Sequence, residues 1–288
     1  MKAAETLLAV CVTGLACFIG GEALGARRAT VHDESAGAIE TAQGARAASR
    51  AASRASSRAG SSADNAHDDA EQDDAFGTTG ADYGTVVATS PYTGTTRSLD
   101  PRELRIRLAN GAFGTYIDDL VNARDSAVTR WPDRRSRPLR VWIDDAVQVD
   151  GWNADFVSAV RDAFDTWVQA GVPVHFTFVL DSSTADVYVA FVDRFANGIS
   201  GKTVWSRDAA WWLVSSEIQL AIAHPSGGNV SAPQMRAIAL HEVGHLLGLD
   251  HSHDPDNIMS ARIRVRDLTE ADRATVRLLY SVPAGSLK

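Results

Sequence analysis

The sequence predicts an α/β domain in its C-terminal half, a twisted mixed sheet packed against two long helices, and three observations predict it. Strand-like and helix-like stretches follow one another from residue 139 in the order strand, helix, strands, helix, helix. All seven tryptophans (131, 142, 152, 167, 205, 211 and 212) lie beyond residue 130, so the material for a large core is gathered there. Residues 41 to 75, by contrast, are almost entirely Ala, Ser, Arg, Asp, Gly and Gln. A domain of roughly 160 residues can bury about 70% of the surface its unfolded chain exposes.

The first 26 residues carry both cysteines, Cys11 and Cys17, within an apolar run from Leu7 to Gly21 that closes on small residues up to Ala26. About 15 apolar residues fall short of the ~20 that span a bilayer, so the segment reads as a signal peptide. Glu5 before the run and Arg27-Arg28 after it leave a retained membrane anchor open. The protein is accordingly expected to be secreted, extracellular or periplasmic, or held at a membrane by residues 7–21. The rest of the chain has no thiol, which excludes a disulfide, a thiolate ligand and a cysteine nucleophile.

Residues 27–97 read as a disordered linker. Ala47-Ala48-Ser49-Arg50 recurs as Ala51 to Arg54 and, with Ser56 in place of Ala, as Ala55 to Arg58; an acidic run from Asp64 to Asp74 follows, with almost no large apolar side chain before Phe76. Such a segment cannot offset the entropy of ordering it. Next, Asp100-Pro101-Arg102-Glu103 opens a helix through Leu104 and Leu108 that stops at Asn110-Gly111, and a second helical stretch runs from about Tyr116 to Val128. Residues 98–128 are either a helical pro-segment or a scaffold of the domain that begins at 129.

Within that domain, Leu139 to Ile143 is a strand. Asn153 to Ala170 is a helix with Phe156, Val160, Phe164 and Trp167 on one face. Runs of β-branched and aromatic residues make strands of His175 to Leu180, Ala185 to Phe191 and Ser216 to Ile222, with a shorter one at Thr203 to Ser206. Ser231 to Leu247 has the best-marked helix ends in the chain: Ser231 as N-cap, Pro233 in the first turn, Gln234 at the capping-box position and Gly248 just beyond. The last helix, Glu270 to Tyr280, repeats that grammar with Thr269 and Asp272.

The chemistry lies in His241-Glu242-Val243-Gly244-His245-Leu246-Leu247-Gly248-Leu249-Asp250-His251. Histidines at i and i+4 share a helix face and suit a tetrahedral zinc, while Glu242, one residue along, is turned toward water and not toward the metal. Gly248 can take positive φ and let the chain leave the helix sharply, bringing His251 round as a third ligand. Three imidazoles leave one position open, the mark of a catalytic zinc site. Chance gives the whole pattern in such a chain at the order of 10⁻⁵, so a coincidental histidine pair is the weaker reading. His253 is a rival third ligand with poorer spacing.

These residues resemble the metzincin signature HExxHxxGxxH, and more narrowly the matrixins, in which a serine commonly follows the third histidine as Ser252 does here. The resemblance covers roughly Trp131 to Tyr280 and is that of a bacterial-type minimal catalytic domain of the α+β zincin type. Ala185 to Val189 resembles the family's third strand, and Leu268 to Asp272 with Leu278-Leu279-Tyr280 resembles its C-terminal helix. Asp256-Asn257-Ile258-Met259 stands where the family has its Met-turn, so Met259 is expected as the hydrophobic floor beneath the zinc.

The resemblance implies a zinc metalloendopeptidase, with His241, His245 and His251 as ligands, Glu242 as general base, and a protein or peptide substrate extended along the strand near Thr203 to Ser206. Residues 192 to 230 hold His224 as their single histidine, so one catalytic zinc is expected, no second zinc, and calcium is doubtful. Ser260-Ala261-Arg262 replace the Pro and Tyr that follow the family's Met-turn, which leaves substrate preference open. A formal charge of -8 excludes a basic nucleic-acid footprint for the whole chain. Two other classes remain: a catalytically idle, zinc-containing binding or adhesion module, and a zinc hydrolase of a non-protein substrate.

Overall fold

The computed structural model describes residues 77–78, 86–92, 99–123, 127–224 and 227–288. The leader and most of the linker lie outside the described residues; among those described, no helix is long and apolar enough to cross a membrane.

Alternating apolar residues place strands β4 (Arg134–Ile143), β5 (Val174–Val179), β6 (Val187–Val192), β7 (Gly201–Arg207) and β8 (Leu213–Ala221) in one sheet. Together with the two-residue β2 (Val86–Val87), the order is β2-β7-β8-β6-β4-β5. Neighbours run parallel except β7 and β8, which form an antiparallel hairpin pairing Thr203 with Ile218. The expected α/β class with a mixed sheet is the one observed. Strands β4, β7 and β8 are longer than the sequence suggests, because their ends gain partners that local periodicity does not report: the Arg134 amide donates to the Pro173 carbonyl, and the Leu213 amide to that of Arg130.

Two long helices pack together against the sheet. Helix α3 (Asp155–Gln169) buries Phe156, Val160, Phe164 and Trp167, the face its 3.6-residue period marks out. Helix α4 (Ala232–Leu246) packs on α3, β7 and β8 and is buried along nearly its whole length from Met235 onward. A helix apolar on all sides belongs inside a domain. Helix α5 (Glu270–Ser281) buries Val276, Leu279 and Tyr280 and is capped by Thr269, whose hydroxyl accepts the Asp272 amide.

Three boundaries differ from the sequence reading. Within the expected linker, Gly77–Thr78 forms β1, pairing antiparallel with β9 (Arg262–Ile263). Val86–Val87 pairs with Ser206 and Arg207. Tyr92 donates its hydroxyl to the Leu213 carbonyl and stacks under the Arg134 guanidinium. Residues 77–78 and 86–88 of the expected linker are therefore joined to the domain by backbone pairing, which composition does not register.

The expected helix over 116–128 ends early, as α2 (Ile117–Ala123), and Ala127–Val128 instead form β3, paired with β10 (Gly285–Ser286). Val128 is β-branched and fully buried, and the chain's last residues supply the backbone it pairs with. Finally, no break in the core falls at 128/129. Leu104 and Leu108 of α1 (Pro101–Gly111), with Ile117 and Leu120 of α2, lie in one hydrophobic cluster with Trp131, Leu246 and Leu279.

Candidate metal centre

Helix α4 is fixed before it contributes any ligand. Its first turn is closed by the Ser231 amide, which donates to Gln234 Oε1 at 2.9 Å. Its carbonyls are met by three buried side chains: Trp167 Nε1 donates to the Leu240 oxygen at 2.8 Å, Trp131 Nε1 to that of Leu246 at 2.9 Å, and the Tyr280 hydroxyl to that of Leu247 at 3.0 Å. The last two acceptors belong to the final turn, where the helix has no donors of its own. These are couplings from α3, from the segment that precedes β4 and from α5, which the sequence pattern of α4 alone does not indicate.

The helix ends as Gly248 predicts. This residue takes φ +100°, its amide donates to the His245 carbonyl, and the Leu249 amide reaches back to that of Gly244 at 3.0 Å. That pair of bonds is a Schellman closure. A side chain at 248 would also overlap the Thr129 carbonyl, so both φ and space demand glycine.

The turn brings His251 to the two helix histidines. Ligand nitrogens of His241, His245 and His251 lie within 4.8 Å of one another, the one such group of three or more found among the described residues. His253 is not part of it: its Nδ1 lies 2.8 Å from Asp119 Oδ1 of α2, and its side chain is 89% exposed.

Carbonyls set the imidazoles. His241 Nδ1 lies 2.7 Å from the Ile258 oxygen and His245 Nδ1 3.0 Å from the Leu249 oxygen; as carbonyls only accept, both Nδ1 atoms carry the proton. The two Nε2 lone pairs then face each other across 2.9 Å. Two lone pairs that close repel unless a cation lies between them. With burial lowering His241 to a pKa of about 3, reinforced by His251, the imidazole is neutral and able to ligate. An all-imidazole donor set of this kind fits zinc.

Met259, the residue expected as the floor, lies against helix α4. It is fully buried, and a Cβ on Gly244, the residue just before His245, would overlap its sulfur. The Ile258 carbonyl that holds His241 is itself held, because the Ile258 amide donates to Asp272 Oδ2 at 3.1 Å and the Tyr116 hydroxyl to Asp272 Oδ1 at 3.0 Å. Sequence reasoning had given Asp272 a cap role alone and Tyr116 none. Asp250 Oδ1 accepts the His251 amide and Asp254 Oδ1 the Asp256 amide, while backbone carbonyls hold the His241 and His245 rings.

Glu242 is fully buried. Its Oε2 accepts the Thr203 hydroxyl at 2.6 Å, and its Oε1 is buried with no hydrogen-bond partner. Burial pushes its carboxyl up to about 8, opposed by the Thr203 bond. Thr203 and Gly201, whose Cβ would overlap the same carboxylate, come from β7 and were not read as site residues. Only a small residue two positions before a threonine hints at them. The stretch expected to receive a peptide, Thr203 to Ser206, is met at its C-terminal end by the chain's own Val86 and Val87, and the Ala88 amide donates to the Arg207 carbonyl at 2.8 Å.

Residues 193–281 match the peptidase family model described as matrixin. The chain is similar to the metalloendoproteinase 1-MMP of Arabidopsis thaliana, 32% identical over 146 residues that cover 44% of this chain and 38% of that protein. Matrix metalloproteinase-15 of Homo sapiens is 28% identical over 166 residues, covering 47% of this chain and 23% of its own length. The chain thus spans less than half the length of these curated relatives. The solved structure of myroilysin aligns with 53% of this chain and 86% of its own, at 15% identity and a TM-score of 0.36. The resemblance first read from the histidine motif is thereby met by independent comparison of the sequence.

Proposed function

We propose, from a chain whose residues 193–281 match the matrixins, a zinc-dependent endopeptidase that is secreted or tethered at a cell surface. The observation that carries the reading is the convergence of His241, His245 and His251 nitrogens within 4.8 Å, next in the helix to a buried carboxylate with one unpartnered oxygen. A binding module that kept zinc for stability alone would have no use for that carboxylate. Export rests on the leader, and residues 99–123 are assigned as scaffold because their apolar side chains share the core of the catalytic part.

His241, His245 and His251 would hold the metal, the first two oriented by the Ile258 and Leu249 carbonyls. When bound, zinc supplies a Lewis acid that polarises the scissile carbonyl and makes water more acidic. Glu242 takes a proton from the attacking water as the new carbon–oxygen bond forms. It then returns that proton to the amine nitrogen as the carbon–nitrogen bond breaks. The substrate backbone would pair with β7 on the N-terminal side of Ser206, a form of strand addition.

Digestion of a quenched peptide library by the zinc-loaded chain, with and without phenanthroline, is the test. Hydrolysis should stop with chelator. Glu242→Gln should fall by about 10²- to 10⁴-fold, with one zinc per chain still bound. His251→Ala should lose zinc and activity together, whereas His253→Ala should keep both. Zinc retained at wild-type affinity in His251→Ala would remove that residue from the ligand set, and a chain that binds zinc but cleaves nothing would favour the idle module.

A further inference from the structure

We propose that Thr203 is a positioning residue for Glu242, its hydroxyl fixing which carboxylate oxygen meets the reacting water; this rests on the endopeptidase reading above. Thr203 sits in β7 opposite Ile218 and is 1% exposed. Its Oγ1 lies 2.6 Å from Glu242 Oε2 and 3.1 Å from the Glu242 backbone oxygen. A hydroxyl has one proton to give. A carbonyl inside a helix already accepts the amide four residues on, so the proton belongs to the side-chain oxygen, in the shorter bond.

The two carboxylate oxygens therefore become inequivalent. Oε2 is tied to the sheet, whereas Oε1 is buried with no partner and is the oxygen left to exchange a proton. Gly201 completes the arrangement from the same strand. Residues two apart in a strand share a face, and a Cβ at 201 would overlap Glu242 Oε1, Cδ and Cγ. The carboxylate thus lies in a slot made by a missing side chain at 201 and a hydroxyl at 203. The terminal torsion of a glutamate is broad and roughly two-fold, so without an anchor its two oxygens interchange readily. The metal ligands come from α4 and its exit turn, while this anchor comes from the sheet.

The test compares Thr203→Val, which keeps the shape and removes the hydroxyl, with Thr203→Ser, which keeps the hydroxyl. Both are made in the full zinc-loaded chain and read by kcat and KM on a quenched peptide, zinc per chain and melting temperature. A fifth readout is the infrared band of the Glu242 carboxyl, isolated by subtracting Glu242→Gln. Thr203→Val should lower kcat by about 10- to 100-fold with KM within about twofold and zinc retained, the signature of an interaction made in the transition state. Its Glu242 band should move. Thr203→Ser should restore kcat to within about fivefold of wild type.

Wild-type kcat in Thr203→Val, equal losses in both variants, or an unmoved band would overturn the proposal. If the wild-type chain cleaves no peptide, the endopeptidase reading fails. The infrared shift still decides whether Thr203 orients Glu242.

Discussion

Gly244 shows how little freedom a single position in the centre has. It lies between His241 and His245, and a methyl group there would overlap the Met259 sulfur and stand 3.1 Å from Trp167 Cζ2. Both neighbours are fully buried, and the Trp167 ring is pinned by its bond to the Leu240 carbonyl, so neither side can yield cheaply. Gly244→Ala should therefore destabilise the fold by about 1–3 kcal/mol through overpacking, despite the better helix propensity of alanine. Chemical denaturation measures this. Adding Met259→Ala should recover part of the loss, because the clash partner is gone, although that second change leaves a cavity of its own. Strict additivity of the two costs would mean that Gly244 and Met259 do not press on each other.

At the scale of elements, α1 and α2 decide where the domain begins. Leu104 and Leu120 are each 1% exposed, and Tyr116 reaches through Asp272 to the backbone that holds His241. A chain starting at residue 99 should fold and bind one zinc. A chain starting at residue 124 should fold poorly, and Leu104→Ala alone should cost about 2–5 kcal/mol. Circular dichroism and zinc stoichiometry of the two truncations check this; a stable, zinc-binding chain from residue 124 would make residues 99–123 a dispensable segment.

The helices α1, α3, α4 and α5 were legible in the sequence because their caps and apolar periods are local. So were His241, His245, Gly248 and His251, whose relation is one helix and one turn. What was illegible is what pairs at long range: β3 with β10, β1 with β9, and Thr203 with Glu242, 39 residues apart. No local signal in Ala127–Val128 says that Gly285–Ser286 waits for it.

For the molecule as a whole, alkaline pH tests how the active helix is held. Tyr280, donating to the Leu247 carbonyl at the end of α4, and Tyr116, donating to Asp272, are both buried phenols. Burial drives each pKa well above the usual value near 10; Arg130 partly offsets this at Tyr280, and the Asp272 charge adds to it at Tyr116. A folded pKa above the unfolded one means the native state holds its proton longer. The stabilisation is then whole below pH ~10 and is lost as pH rises from there through the folded pKa. Each such tyrosine contributes a slope of about 1.4 kcal/mol per pH unit in that window, so the pair gives nearly 3. Tyr92, also raised by burial and donating to the Leu213 carbonyl, adds to the slope, whereas the lysines are confined to Lys2, Lys202 and Lys288 and arginine does not titrate there. Unfolding free energy of the zinc-loaded protein should accordingly stay level from pH 8 to about 9.5 and fall steeply above 10. Tyr280→Phe should cost about 1 kcal/mol at pH 8 for the lost hydrogen bond, yet show a slope shallower than wild type by about 1.4 kcal/mol per pH unit above pH 10. The variant would then approach wild type in stability as pH rises. Equal slopes in the two proteins would mean that the Tyr280 phenol is not held neutral by the fold.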